Sequence, residues 1–163
     1  MGAFKDQADV GFHGGAFGTF PLSDVLGIRI DGAYSDFGTK DFAVDNATAS
    51  SKTTILHGTI DLQYKLGTEN EMALGGGALP YISGGVGAYR FSFDDSCAGT
   101  GCSAVAFGPA SETHWGLNGG AGAMFPLSGF TPFIDVHYHT IFPKSGEAGR
   151  ANMLLLSFGL KFR

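Results

Sequence analysis

The chain has 163 residues and a formal net charge of −5, and only 15% of its residues are charged. Aromatic residues make up 13%, which excludes a disordered chain, since disorder requires high charge and few aromatics. The acidic balance and the absence of a Lys/Arg cluster argue against a nucleic-acid-binding protein. The length fits one domain, which we expect to cover residues 1–163.

Seven strand-like runs follow one another along the chain. In the clearest, Leu56, Ile60 and Leu62 alternate with polar or charged residues. A period of two places alternate residues on opposite faces of a strand, so each run has an apolar or glycine face and a polar face. The predicted strands are Asp9–Phe20, Val25–Phe37, Lys52–Leu66, Leu79–Phe93, Ser111–Phe125, Phe130–Phe142 and Ala151–Arg163.

The connections between these runs differ in length. Pro21–Asp24 and Pro126–Gly129 are tight Pro-Leu-Ser turns, whereas Gly38–Ser51, Asp94–Ala110 and Pro143–Arg150 are longer. Outer-membrane barrels combine short periplasmic turns with long outer loops, and their strands are apolar toward lipid and polar toward the lumen. The sequence therefore predicts an all-β, antiparallel, up-and-down transmembrane β-barrel in the bacterial outer membrane.

Seven strands do not suit such a barrel, because bacterial single-chain barrels have an even number. We therefore expect an eight-stranded barrel with seven strands evident here and the first strand missing. Residues 1–8 would then be the remnant of an outer loop, and they lack the apolar core of a secretory signal. A soluble seven-run sandwich is the alternative, and it would need an apolar partner for every apolar face.

Four runs also carry a resemblance to a known family. They are Gly27–Tyr34, Pro80–Tyr89, Gly116–Gly122 and Phe133–His139. Their order and spacing resemble the small outer-membrane β-barrel superfamily, which includes opacity-type surface proteins and other eight-stranded barrels of Gram-negative bacteria. The closing Leu-Lys-Phe is similar to the family's terminal strand, although Arg163 follows the aromatic residue. The resemblance implies membrane lipid as the surrounding partner and a structural or adhesion-like role on the cell surface.

The polar strand faces predict a filled interior. An eight-stranded barrel is just wide enough inside for side chains to fill, and buried charges must be paired and hydrogen-bonded. We expect a stiffening polar network, with a narrow pore or a small-ligand-binding β-barrel as the alternative function. The predicted interior residues are Arg29, Asp31, His57, Asp61, Gln63, Lys65, Arg90, His114, Asn118, Asp135, His137, His139 and Lys161.

His137 and His139 lie two residues apart on one predicted strand, so they share a face with Asp135. They could bind a metal ion or act as a general base. Some small outer-membrane barrels are lipid-modifying hydrolases in which a serine follows the histidine by two positions. Here the position two after His139 is Ile141, and the spacing fixes no further metal ligand. We therefore expect no enzyme activity, no cofactor and no metal.

Cys97 and Cys102 lie in a segment rich in glycine and serine. In an oxidising compartment a pair at this spacing can close a small disulfide ring. Free thiols remain the alternative, and a metal site would need more ligands. We expect the disulfide, in an outer loop. A surface partner could bind through the outer loops, and we expect the protein to be a monomer.

Aromatic residues near the strand ends predict two interfacial girdles, because amphipathic rings favour the level of the lipid headgroups. Near the turn ends we expect Tyr64, Tyr81, Phe125, Phe130 and Phe162, and near the outer ends Tyr34, Phe91, Phe93, Trp115 and Tyr138.

Overall fold

A computed structural model describes residues 11–44, 47–68, 77–99, 111–144 and 149–162. The strands are β1 (Phe12–Pro21), β2 (Leu26–Val44), β3 (Ala47–Lys65), β4 (Leu79–Gly99), β5 (Ser111–Met124), β6 (Phe130–Ile141) and β7 (Ala151–Phe162). All seven belong to one sheet in which each strand pairs antiparallel with the next. The predicted all-β, up-and-down, antiparallel architecture is confirmed, and the two-sheet sandwich is not found. The described residues contain no helix that is long and apolar enough to cross a membrane.

The sheet curls until its two edge strands approach each other. His13 Nε2 on β1 lies 2.9 Å from Ser157 Oγ on β7, yet the described residues show no backbone pairing between these strands. Because neighbouring strands alternate in direction, β1 and β7 run the same way and cannot pair antiparallel with each other. The sheet is therefore a nearly closed barrel with one open edge pair, which we call the β1–β7 seam.

Two tight turns lie at one end of the sheet, which we call the turn end. Between β1 and β2, the backbone N–H groups of Leu22 and Ser23 both donate to the carbonyl of Leu26, at 2.8 and 2.9 Å. Between β5 and β6, Gly129 has a φ of 91°, a left-handed conformation that glycine adopts without a steric cost. The opposite end of the sheet, where the β2–β3 hairpin extends, is the loop end.

Three strands extend further toward the loop end than predicted. The ladder between β2 and β3 continues to the pair Val44 and Ala47, and β4 continues to Gly99. The predicted loop Gly38–Ser51 is therefore mostly strand, as is the first part of Asp94–Ala110. These segments lack a strict alternation of apolar and polar residues, so backbone pairing rather than side-chain pattern sets their length. The predicted loop remnant, residues 1–8, lies outside the described residues.

The sheet is apolar outside and polar inside, which reverses the usual arrangement of a soluble protein. Asp61 and Asp135 are among the most deeply buried side chains. Large apolar side chains are instead exposed along the outward face of every strand. One outward row of register neighbours, from β2 to β5, consists of Ile30, Ile60, Val86 and Leu117.

Candidate functional site in the barrel interior

The interior gathers most of the side chains that the sequence predicts to lie there. The buried ones are Arg29, His57, Asp61, Gln63, Asn118, Asp135, His137 and His139. The half-buried ones are Asp31, Lys65, His114 and Lys161. Each of these side chains belongs to the inward-facing set of its strand, so the alternation in the sequence identifies the correct face of β2, β3, β5, β6 and β7.

The prediction that Arg90 points inward is wrong. Arg90 is exposed, and its register neighbours Leu56 on β3 and Thr113 on β5 are exposed as well. The outward phase of β4 is set by Ile82 and Val86, which are both exposed. With a period of two, Arg90 shares their face.

The same phase error affects the predicted girdles. Tyr81 and Phe91 are buried, and Phe93 is half-buried against the interior cluster. These rings fill the barrel instead of facing outward. The other predicted girdle residues are exposed on the outward face: Tyr34, Tyr64, Trp115, Phe125, Phe130, Tyr138 and Phe162.

Arg29 is the centre of a charged network near the turn end. Its Nε and Nη2 donate to Asp31 at 2.7–3.0 Å, and its Nη1 donates to Asp135 Oδ2 at 2.9 Å. The hydroxyl of Tyr81 donates to the same Asp135 oxygen at 2.8 Å. The guanidinium also lies over the Phe17 ring, 4.2 Å from its centroid. The network thus joins β1, β2, β4 and β6 across the interior.

Asp61, the register neighbour of Arg29 on β3, organises a second group of hydrogen bonds. Asn118 Nδ2 donates to Asp61 Oδ1 at 2.7 Å, and Thr59 Oγ1 donates to Asp61 Oδ2 at 3.2 Å. Backbone glycines make this packing possible, because a β-carbon on Gly85 would collide with the Asp61 side chain. A second carboxylate is therefore buried with hydrogen-bond partners, as a stable interior requires.

Toward the loop end, histidines form a third group of polar contacts. His139 Nδ1 lies 2.8 Å from the hydroxyl of Tyr89, and His137 Nε2 lies 3.1 Å from Ser83 Oγ. The His57 ring stacks on Tyr89 with ring centroids 5.6 Å apart. Tyr89 and Ser83 are absent from the predicted set because they lie on β4, whose phase the aromatic residues obscure. The outward Ile82 and Val86 are the sequence signal that identifies both as inward.

Apolar clusters lie toward both ends of this polar interior. At the turn end Leu79 and Met124 pack with Tyr81, and Phe133 lies against them. At the loop end the buried residues are Ile55, Tyr89, Phe91, Ile141 and Met153. The ionic and hydrogen-bonded groups therefore lie between two clusters of apolar and aromatic side chains.

The geometry of the histidines suits a structural network. His137 Nε2 faces both Ser83 Oγ and Asp135, whose Oδ2 lies 3.9 Å away. In a catalytic triad the acid contacts the other ring nitrogen and orients the imidazole. Across the described ranges, no three His, Cys, Asp or Glu side chains are placed to hold a metal ion.

Among the strand side chains that the structure describes, charged ones lie on the outward face only toward the loop end. Lys52 Nζ lies 2.8 Å from Asp36 Oδ2, and this hydrogen bond raises the pKa of Lys52 above its usual value. The register neighbour of Lys52 on β4 is Asp94, which is exposed. This group, together with Arg90, marks where the outward apolar surface ends.

Cys97 lies on β4, where its register neighbour is Ala49 on β3. Cys102 lies outside the described residues, so the Cys97–Cys102 disulfide stays a prediction. Comparison with known proteins assigns no family, because neither a family model nor a curated protein matches the chain.

Proposed function

We propose that the protein is an integral β-barrel of the bacterial outer membrane, closed by an eighth strand and surrounded by lipid as a monomer. Its role is structural or one of surface interaction through the loop end. Its interior is a filled polar network that carries out no catalysis and needs no cofactor.

The observation that carries this proposal is the height of the outward apolar surface. Exposed apolar or glycine residues occupy the outward positions of Leu56–Tyr64 on β3 and Leu154–Phe162 on β7. Each stretch is nine residues long, and a tilted transmembrane strand needs about 9–11 residues to cross the hydrocarbon core. Arg90 and the Lys52–Asp36 pair lie at the upper limit of this surface, where a long cationic side chain can reach the headgroups.

The contents of the interior favour a structural role over a pore. The Arg29 network joins β2 to β6 across the barrel, and Asp61 on β3 accepts a hydrogen bond from Asn118 on β5, over the intervening strand β4. One apolar cluster lies on the turn-end side of them and the other on the loop-end side. A water path for ions would have to pass through both apolar layers and break paired charges.

An eighth strand follows from the requirements of a lipid environment. Unpaired backbone groups cost several kcal/mol each in hydrocarbon, so a spanning sheet must close on itself. Since β1 and β7 run in the same direction, a single strand between them, antiparallel to both, would pair with each edge. We propose that this strand precedes β1 in the chain.

The proposal predicts that folding depends on lipid and on the eighth strand. In detergent or phospholipid, we expect β-structure by circular dichroism and faster gel migration of the unheated sample, both increased when a first strand is supplied. Without that strand the chain should insert poorly. Cooperative folding in plain buffer would contradict the membrane location, and a stable heat-modifiable monomer without any added strand would contradict closure by an eighth strand.

A further inference from the structure

We propose that the β1–β7 seam accepts a strand of a specific side-chain pattern: apolar at its outward positions and only glycine, alanine or serine at its inward positions. This inference rests on the proposed function and adds to it the chemistry of the strand that completes the barrel.

The outward half of the pattern follows from the two edges. Phe12 and Phe20 are exposed on β1, and Leu154, Phe158 and Phe162 are exposed on β7. The apolar surface therefore reaches the seam from both sides. A strand inserted between these edges continues the surface only if its own outward side chains are apolar.

The requirement for small inward side chains follows from the Phe133 ring, which already fills the interior next to the seam. Phe133 extends from β6 across β7 at Gly159, where an added β-carbon would collide with the ring. On the far side it meets Phe17 of β1 edge to face, with ring centroids 5.1 Å apart. The guanidinium of Arg29 also packs against the Phe17 ring, 4.2 Å from its centroid. Side chains from β6 and β1 therefore already cover the interior at this level.

A second contact covers the seam nearer the loop end. His13 Nε2 and Ser157 Oγ are 2.9 Å apart and bridge β1 to β7 on the inward side. The two bridges, Phe17–Phe133 and His13–Ser157, lie at successive levels along both edge strands. A bulky inward side chain on the inserted strand would have to displace one of them, whereas a hydrogen or a methyl group would not.

Two synthetic peptides of about ten residues, the length of a spanning strand, test this pattern on the full chain in detergent micelles. Both carry leucine or valine at the outward positions. One has glycine or alanine at the inward positions, and the other has leucine there. The second peptide is bulky on both faces, so a one-residue slip in register cannot rescue it.

We expect the small-inward peptide to bind at least tenfold more tightly and to slow amide hydrogen exchange along both β1 and β7. Equal binding of the two peptides, protection of only one edge strand, or binding of neither peptide would overturn the proposal. If the chain still folds only in lipid or detergent, such a result leaves the membrane proposal intact. Folding in plain buffer would instead contradict the membrane proposal.

A pair of phenylalanine variants makes the test specific to the interior. Phe133→Ala removes the ring behind the seam, so we expect it to raise the affinity for the bulky-inward peptide at least fivefold. Phe130→Ala removes an exposed ring from the outward face of the same strand and should leave the preference for the small-inward peptide unchanged. No gain of bulky-peptide binding in Phe133→Ala, or an equal gain in both variants, would overturn the proposal.

Discussion

Arg29→Ala is expected to lower the free energy of unfolding by about 3–5 kcal/mol, the usual cost of removing one partner from a buried ion pair. The side chains of Arg29 and Asp135 are 6% and 1% exposed. Without the guanidinium, Asp135 retains a hydrogen bond from Tyr81, and no other cation of the described ranges lies at hydrogen-bond distance from it. Arg29→Lys should recover only part of the loss, because one ammonium cannot reproduce the guanidinium fork that contacts both Asp31 and Asp135.

Unfolding by guanidinium chloride in phospholipid bilayers measures this effect. Trp115 fluorescence reports the unfolding of the protein that has folded into the bilayer. Lys52→Ala is the matched control, since it removes an ion pair on the outward side whose lysine is 39% exposed, and it should leave stability nearly unchanged. Adding Asp135→Asn to Arg29→Ala should cost less than the sum of the two single changes, because the unpaired charge is then removed. Equal losses in Arg29→Ala and Lys52→Ala would refute the buried network.

Ile60→Arg is expected to lower the free energy of unfolding in bilayers by about 2–4 kcal/mol, as for a cation at the midplane of an outer-membrane barrel. Ile60 lies midway along the outward apolar stretch of β3 and is 56% exposed. In a protein surrounded by water, an arginine at so exposed a position would have little effect on stability. The magnitude of the effect therefore distinguishes a lipid environment from an aqueous one.

Leu66→Arg provides the depth control. Leu66 is 52% exposed and lies at the turn end, so the two positions differ mainly in their expected depth in the bilayer. Near the interface the cost should fall to about 0–1 kcal/mol. Similar small changes for Ile60→Arg and Leu66→Arg would show that the outward face is in contact with water.

Alternation in the sequence predicts the order and the faces of most strands, because a period of two is a local property that the sheet preserves. It fails on β4, because the alternating rings of Tyr89, Phe91 and Phe93 suggest an outward apolar face. The outward residues of this strand are instead Ile82 and Val86, on the opposite face. A large aromatic ring suits both a lipid girdle and a small barrel interior, so its presence does not fix the phase.

The partners inside the barrel are beyond prediction by alternation. Arg29 and Asp135 are 106 residues apart in sequence. A strand pattern assigns each to the interior, but it does not give the height or the angular position at which they meet. Those depend on the register of every intervening strand pair. For the same reason, the sequence does not predict that the Phe133 ring covers Gly159. This contact is the basis of the proposal for the β1–β7 seam.

The most direct test of a membrane-embedded barrel uses Trp115, the chain's one tryptophan, which is 69% exposed on the outward face. We would reconstitute the protein in bilayers that contain brominated phospholipids and measure tryptophan quenching. We expect strong quenching, greater when the bromines lie close to the headgroups than when they lie near the chain ends, since tryptophan favours the interface. Folded protein whose tryptophan is not quenched by any brominated lipid would contradict the account.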